Sequence, residues 1–225
     1  MEKEFAMTDD PQINEGYSEI ENLEADAVVA RKENAVREST LTLAKFVRLL
    51  HFRLFRQGFR ITLLWLVNML VRGITGYPHR STSEIMPQLF VGGQYSRQGW
   101  SKMSSWGITS VVNMRKEFDD QTKGIAPARY LHLPTIDDDA PSLDQLQVGV
   151  DFIREELDSG GIVYVHCGAG VGRAATMAAA YLVSTGLDVE EAWHHIRTVR
   201  PFIRPSIVQV RMIEHFAARC RNGRP

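Results

Sequence analysis

The stretch IVYVHCGAGVGRAATMAAAYLV, residues 162–183, decides the fold. Its first residues are mostly β-branched or aromatic and predict a buried strand that ends at His166. A glycine-rich turn follows, and from Arg173 a run of small and apolar residues predicts a helix. A tight turn from a buried strand into a helix is typical of α/β folds, in which parallel strands alternate with helices.

The turn between this strand and this helix carries the chemistry. It begins with Cys167 and closes with Arg173, and three of the five residues between them are glycines. Such a turn directs successive backbone N–H groups into one concavity, and the helix N-terminus adds positive potential, so a phosphate is the expected guest. The expected phosphate-binding residues are Gly168, Ala169, Gly170, Val171, Gly172 and Arg173.

The same concavity favours the anionic form of Cys167, which would then be a nucleophile aimed at phosphorus. The planar guanidinium of Arg173 can hold two phosphoryl oxygens at once. The structural alternative is that Cys167 is a small buried apolar residue and that the glycines only turn the chain. Because the glycine-rich turn ends in an arginine, we favour the interpretation that it is a phosphate site.

A second loop offers a proton donor for the leaving oxygen of such a reaction. The segment TIDDDAPS, residues 135–142, places three adjacent carboxylates before a predicted helix. The alternative is a solvated acidic turn that caps this helix, since Asp and Ser often do so. Beside the cysteine turn, we interpret the acidic loop as the source of a general acid.

The flanking sequence extends the alternation of strands and helices. Strands are predicted at 89–92, 108–114, 130–134 and 162–166, and helices at 95–106, 143–157, 173–185, 188–199 and 205–219. Ser142 and Gln145 are spaced as a capping box for the second of these helices. Residues 79–87 are predicted to be a linker. We therefore expect an α/β fold with a central, mainly parallel sheet of four to five strands flanked by helices, and an N-terminal helical extension.

The N-terminal part of the chain is divided by charge. Residues 1–40 hold 11 acids and 4 bases and predict an acidic tail, partly disordered or helical. Residues 41–83 hold 7 bases and no acid. Within them, residues 41–78 predict a basic and apolar helix that ends at Gly73, Gly76 and Pro78.

On a helical wheel this helix is basic on one side and apolar on the other. The bases on one arc are Lys45, Arg48, Arg53, Arg56 and Arg60, and the opposite residues are Phe46, Val47, Leu50, Leu54 and Ile61. This pattern is typical of a helix at a membrane interface, so residues 45–72 are expected to contact an anionic membrane surface. The alternative is a helix packed on the catalytic domain or in a dimer.

Composition limits the classes of protein that fit. The chain has 225 residues, of which 44% are hydrophobic and 24% charged, as in soluble globular proteins. Its two cysteines, Cys167 and Cys220, make no disulfide framework and favour a reducing compartment. The apolar stretch 61–71 is too short to cross a bilayer, and the polar, acidic N-terminus does not resemble a signal peptide. We expect a cytoplasmic protein that associates peripherally with membranes.

The segment HCGAGVGRAAT, residues 166–176, resembles the signature His-Cys-x5-Arg of the cysteine-based protein tyrosine phosphatase superfamily, in its dual-specificity form. The resemblance covers about residues 84–219, the expected catalytic domain. It implies Cys167 as nucleophile, Arg173 as phosphoryl-binding residue and His166 as a residue that orients the loop. It also implies a cysteinyl-phosphate intermediate, with no metal, no cofactor and no nucleic-acid partner.

The resemblance further implies Asp137 as the general acid, because Pro141 follows it at the family's usual offset. Asp138 and Asp139 stay open as alternatives. One departure concerns Ala174, which stands where the family usually has Ser or Thr; a hydroxyl there helps the cysteine to leave, so its loss is expected to slow turnover.

The default substrate that the resemblance implies is a protein phosphorylated on Tyr or on Ser and Thr. A lipid phosphomonoester is the alternative, because residues 181–206 and, loosely, 70–80 are similar to mitochondrial phosphatidylglycerophosphate phosphatases. The turn carries no lysine, unlike phosphoinositide phosphatases, so a singly phosphorylated substrate fits better. A pseudophosphatase that only binds phosphorylated partners, and an arsenate reductase or sulfur-transfer enzyme, are alternatives of other classes.

Overall fold

The computed structural model describes residue 51, residues 54–55 and residues 57–222. The strands are β1 (Glu84–Met86), β2 (Leu89–Gly93), β3 (Ser110–Arg115), β4 (Arg129–Thr135) and β5 (Val163–Cys167). The helices are α1 (Phe59–Thr75), α2 (Arg97–Ser104), α3 (Leu143–Asp158), α4 (Arg173–Ser184), α5 (Val189–Val199) and α6 (Ile207–Asn222), with a 3-10 helix over Arg80–Thr82. The acidic tail predicted over residues 1–40 lies outside the described residues.

The five strands form one sheet in the order β1–β2–β5–β3–β4. The strand β1 runs antiparallel to β2, and all other neighbours are parallel. The predicted α/β fold with a mainly parallel sheet of four to five strands is therefore confirmed. The prediction of a linker over residues 79–87 is wrong, because this segment contains the 3-10 helix and β1. An edge strand of three residues is too short to show an alternating pattern.

The strand β5 and the helix α4 form the centre of the core. All five residues of β5 are buried, as expected for a central parallel strand covered on both faces. The helix α4 packs against β5 and β2 and also against α3, α5 and α6. Its small side chains let these elements approach closely, and the residues from Arg173 to Val183 are all buried. The loop that joins β5 to α4 is thus held at both ends by the core.

The capping box predicted before the helix at residue 143 is confirmed. The side chain of Ser142 accepts a hydrogen bond from the backbone N–H of Gln145, and the Gln145 side chain accepts one from the backbone of Ser142. Such a box satisfies two backbone donors at the helix N-terminus. It therefore fixes the point at which the acidic loop ends and α3 begins.

The continuous helix predicted from residue 41 is interrupted. Gln57 lies in a turn, and Gly58 has a φ of 89°, a left-handed backbone conformation that glycine adopts without strain. A new helix, α1, starts after this break and continues through Gly73 as far as Thr75. Gly76 ends it in the left-handed conformation typical of a helix C-cap. The basic and apolar faces predicted from one helical wheel therefore do not continue across Gly58.

The helix α1 packs on the domain through a narrow, partly polar strip. Its buried residues are Thr62, Trp65 and Asn68, and the amide of Asn68 donates a hydrogen bond of 2.8 Å to the hydroxyl of Thr82. This contact agrees with the alternative of a helix packed on the catalytic domain. All described residues belong to one compact unit, which includes α1. None of the helices in the described ranges has the length and apolarity needed to cross a membrane.

Two glycines provide a matched test of this packing. A Cβ atom at Gly99, in α2, would overlap the backbone carbonyl of Gly76 at the end of α1. We expect Gly99→Ala to lower the free energy of unfolding by about 1–3 kcal/mol, the usual cost of overpacking. The measurement is chemical denaturation.

The control is Gly73→Ala, in α1, where a Cβ atom meets no described heavy atom within 4 Å. Since alanine favours a helix over glycine by about 0.5–1 kcal/mol, this variant should be slightly more stable than the wild type. Equal stability of the two variants would contradict the close contact between α1 and α2.

Candidate active site

The candidate site lies at the carboxyl ends of the parallel strands, where open α/β sheets bind their ligands. The strand β5 ends at Cys167, and the loop of residues 168–172 carries the chain into α4. The backbone of Gln94, just after β2, donates a hydrogen bond of 3.1 Å to the carbonyl of Gly168. The neighbouring strand therefore fixes the first residue of the loop.

The loop turns its carbonyl groups outward. The carbonyl of Val171 accepts a hydrogen bond of 2.7 Å from the backbone of Arg204, and that of Gly170 accepts one of 2.6 Å from the Nε of Arg200. With the carbonyls held on the outer side, the inner side is left to N–H groups, as an anion nest requires. The N–H of Gly170 lies 3.2 Å from the Sγ of Cys167 and donates to it.

Gly170 occupies a position that only glycine fits. Its φ is 70°, and a Cβ atom there would overlap the backbone of Gly92 in β2. The absence of a side chain thus permits both the left-handed conformation and the close approach of the two backbones. The loop is thereby packed directly on the sheet.

Arg200 is a second cation behind the loop, and it was not predicted from the sequence. It is fully buried, and its Nη1 donates to the carbonyl of Thr82 at 2.7 Å. Its described hydrogen-bond acceptors are carbonyl and hydroxyl oxygens, with no carboxylate among them. Burial lowers the pKa of Arg200 to about 10, so the group stays charged at neutral pH. This uncompensated charge favours an anion in the loop.

Arg173 is buried and oriented by several acceptors. Its Nη1 and Nη2 donate to the two carboxylate oxygens of Glu117 at 2.9 and 3.0 Å, and Nη1 donates to the carbonyl of Thr135 at 2.8 Å. The Nη2 also lies 2.8 Å from the Oδ1 of Asp137. The buried Nε finds no acceptor among the described residues, so this donor is available to a phosphoryl oxygen.

The ion pair between Glu117 and Arg173 holds both groups charged. Partial burial by itself raises the pKa of Glu117, but the hydrogen bonds from Arg173 and its own backbone lower it to about 2. Burial opposes the charge of Arg173, yet its pKa lies above the ordinary value because of Glu117 and the neighbouring anionic groups. Glu117 therefore fixes the guanidinium fork at the loop as a permanent ion pair.

Among the three adjacent carboxylates, the structure brings Asp137 to the site. Its side chain is 78% exposed and contacts Arg173. Asp138 has a φ of 59°, and the Oδ1 of Asp139 accepts a hydrogen bond from the backbone of Ala140. The carbonyl of Asp139 is also held, by the side chain of Gln209. The general-acid role of Asp137 stays a prediction.

His166 is buried behind the loop, and its role in orienting the loop stays a prediction. Its Nε2 donates to the Oδ2 of Asp120 at 2.7 Å, and its Nδ1 lies 3.4 Å from the carbonyl of Cys167. Asp120 is fully buried and also accepts a hydrogen bond from the side chain of Gln94. Burial by itself raises the pKa of Asp120, but the hydrogen bond and charge of His166, together with the hydrogen bonds from Gln94 and Tyr95, outweigh it, and the pKa lies below its usual range.

Sequence reasoning missed Glu117, Asp120 and Arg200. The first two follow β3, so the rule that charged residues just after a parallel strand face the ligand edge would have found them. No comparable signal marks Arg200, since an arginine between a helix and a proline is ordinarily a surface residue. Among the described residues, no group of three or more His, Cys, Asp or Glu side chains is arranged to hold a metal ion.

Comparisons with known proteins show the family of the domain. A family model described as the catalytic domain of dual specificity phosphatases matches residues 89–219. Dual specificity protein phosphatase 1-A of Xenopus laevis is 30% identical over 132 residues, which are 58% of this chain and 35% of that protein. The match thus spans about a third of the length of this relative.

Two solved structures are similar in fold. The crystal structure of PTPMT1 in complex with PI(5)P has 26% sequence identity and a TM-score of 0.57, and covers 61% of this chain and 95% of that one. The crystal structure of human tyrosine phosphatase-like serine/threonine/tyrosine-interacting protein has 27% identity and a TM-score of 0.53, with 60% and 95% covered. Since the family model matches more than half of the chain, this protein belongs to the dual specificity phosphatase catalytic domain family.

Proposed function

We propose that the protein hydrolyses phosphomonoesters through a cysteinyl-phosphate intermediate, and that it is a dual-specificity phosphatase for proteins phosphorylated on Tyr or on Ser and Thr. One observation carries the proposal: Cys167 and Arg173 stand at the two ends of a loop whose carbonyls are all turned away from them. Such a loop binds an anion between a nucleophile and a guanidinium.

In the first step the loop N–H groups and Arg173 bind the phosphoryl oxygens. The sulfur of Cys167 attacks phosphorus, so that an S–P bond forms while the P–O bond to the leaving group breaks. Asp137 gives its proton to the leaving oxygen, which departs as an alcohol or phenol. Positioning and charge stabilisation supply most of the catalysis in reactions of this class.

In the second step water attacks phosphorus, and Asp137, now a carboxylate, accepts its proton. The S–P bond breaks, and its electron pair returns to Cys167 as a thiolate. Inorganic phosphate leaves the loop. The charge of Arg200 favours a bound phosphoryl anion in both steps, because it lies behind the loop without a carboxylate partner.

The contact between Asp137 and Arg173 bears on the first step. The carboxylate occupies one edge of the guanidinium, where a phosphoryl oxygen would bind. Substrate phosphate and the Asp137 carboxylate therefore compete for Arg173. Binding of the substrate releases Asp137 from the ion pair and leaves it beside the leaving oxygen, where a protonated carboxyl is needed.

The lack of cationic side chains between Cys167 and Arg173 limits the number of phosphates that the substrate can carry. Residues 168–172 contain no Lys or Arg, and additional phosphates would need further cations. A singly phosphorylated group fits best. The name of the relative in Xenopus laevis, a dual specificity protein phosphatase, supports a protein substrate.

A lipid phosphomonoester is the second candidate, supported by the similarity to PTPMT1 in complex with PI(5)P. A single hydrolysis panel distinguishes a protein substrate from a lipid substrate. It contains a phosphotyrosine peptide, a phosphothreonine peptide and phosphatidylglycerophosphate. Binding of these compounds without hydrolysis would instead indicate a protein that only recognises phosphate.

The first prediction concerns the nucleophile. Cys167→Ser should lower phosphomonoester hydrolysis by several orders of magnitude, because a serine hydroxyl is far less ionised than a thiol and attacks phosphorus poorly. The matched control is Cys220→Ser, in α6, which should keep wild-type activity. Turnover by the Cys167→Ser variant at the wild-type rate would rule out the cysteinyl-phosphate mechanism.

The second prediction concerns the general acid. Asp137→Asn should lower kcat by roughly 10²–10⁴ for substrates with poor leaving groups, the usual range for general acid catalysis. An activated aryl phosphate should be affected less, because its leaving oxygen needs no proton. Asp138→Asn and Asp139→Asn are the controls, and a larger loss in either would transfer the role to that residue.

The third prediction concerns Ala174, which is fully buried at the start of α4. Ala174→Ser should speed breakdown of the phosphoenzyme, because a hydrogen bond to the departing thiolate is worth about 1.5–3 kcal/mol, or roughly 10- to 100-fold in rate. In pre-steady-state experiments the wild type should show a burst of released alcohol or phenol, and the variant a smaller burst with a faster steady rate.

The control for this experiment is Ala175→Ser, which adds the same hydroxyl at the next buried position. It should leave the burst unchanged. If the wild type shows no burst and Ala174→Ser changes nothing, breakdown of the phosphoenzyme does not limit turnover and the prediction fails.

A further inference from the structure

The buried and exposed faces of α1 differ in polarity from those of an ordinary surface helix. A surface helix of a globular protein presents its apolar stripe to the core and its polar face to water. In α1 the buried strip instead contains two polar side chains, Thr62 and Asn68, together with Trp65. Most of the other large apolar residues of α1 are exposed instead.

The outward face of α1 is a continuous apolar stripe. Its five residues are Phe59, Leu63, Val67, Leu70 and Ile74, which are 68%, 48%, 46%, 61% and 76% exposed. At 100° per residue they fall within an arc of about 80°, opposite the buried strip. A contiguous stripe of this kind marks an interaction surface, unlike apolar residues scattered singly over a surface.

The buried strip of α1 is anchored by hydrogen bonds, so the outward face is not an accident of loose packing. Besides the contact between Asn68 and Thr82, the Nη1 of Arg72 donates to the carbonyl of Gln94 at 3.1 Å. Since polar contacts fix the inner side, rotation of the helix to bury its apolar stripe would break them.

The anchors of α1 also place it beside the phosphate-binding loop. Gln94, which accepts the hydrogen bond from Arg72, itself donates to the carbonyl of Gly168. Before the start of α1, the side chain of Gln57 donates a hydrogen bond of 3.5 Å to the carbonyl of Ile203. The next residue, Arg204, donates to the carbonyl of Val171 in the loop. The helix is therefore tied to segments on both flanks of the loop.

The charge of the surrounding sequence identifies the partner. Residues 41–83 contain seven bases and no acid, and Arg60, at the start of α1, is exposed beside the stripe. Bases next to an outward apolar stripe complement a surface that is itself apolar inside and anionic at its boundary. A bilayer that contains anionic lipids has both properties.

We propose that the outward face of α1 docks on an anionic lipid bilayer, with the helix lying in the plane of the interface. The apolar stripe enters the boundary of the acyl chains while Arg60, beside it, contacts a lipid phosphate. Because α1 is tied to both flanks of the phosphate-binding loop, docking brings this loop to the membrane surface. The docking surface goes beyond the proposed hydrolysis and does not depend on it.

The test measures binding, not turnover. The full chain, carrying Cys167→Ser so that no substrate is consumed, is floated with vesicles of phosphatidylcholine alone or with about 30% phosphatidylglycerol to supply anionic charge. We expect binding to the anionic vesicles at low salt, weaker binding at about 1 M salt, where the Debye length is about 3 Å, and weaker binding to phosphatidylcholine alone.

Two matched variants locate the surface. Val67→Asp places a carboxylate at the centre of the outward face, and Val148→Asp does the same on α3, where the valine is 50% exposed. We expect Val67→Asp to lower the vesicle binding constant by about tenfold or more, equivalent to about 1.4 kcal/mol, and Val148→Asp to leave it unchanged. In the chain that retains Cys167, both substitutions should leave wild-type activity on a soluble aryl phosphate.

If the apolar stripe is covered by something other than a bilayer, the measurements will differ. If a second copy covers the stripe, sedimentation velocity will show a dimer that Val67→Asp dissociates, and vesicles will not bind. If the wild type binds no anionic vesicles at low salt, or if both variants bind equally well, the proposal is wrong. None of these results affects the cysteine mechanism, which is tested on soluble substrates.

Discussion

The approach of Gly170 to the backbone of Gly92 is the constraint on which the rest of the site depends. It seats the phosphate-binding loop directly on β2, and it requires a residue without a side chain in the left-handed conformation. With the loop in that position, Arg200 reaches the Gly170 carbonyl from behind, and the carbonyls of the loop face outward. The inner side is then free to present N–H groups to an anion.

Charged groups around the loop are arranged in pairs, except for Arg200, which has no carboxylate partner among the described residues. Glu117 neutralises Arg173, and Asp120 accepts a hydrogen bond from His166, so both of these pairs are satisfied inside the protein. Arg200 has only carbonyl and hydroxyl acceptors among the described residues. Burial of an unpaired cation is costly, and an anionic thiolate or phosphate in the loop offsets this cost.

Much of the fold followed from the sequence, because strands β2 to β5 and the helices after them have strong hydrophobic patterns. The loop from Cys167 to Arg173 was evident because its glycines and its position between strand and helix are local features. Glu117 follows β3 at the ligand edge of the sheet and could have been found from that position, but Arg200 could not be predicted, because its role arises from a contact with Gly170 that is distant in sequence. The break at Gly58 was missed because the apolar pattern continues on both sides of it.

The distances along the chain that these contacts bridge have a consequence for folding. The hydrogen bond from Arg200 to Thr82 joins residues 118 positions apart, and other groups around the loop come from between them. A partly folded chain can contain helices and single strand pairs, but it cannot contain the anion site. An anion that fits the loop therefore binds the native state alone and shifts the folding equilibrium toward it by mass action. If the proposed reaction takes place, inorganic phosphate, its product, is such a ligand.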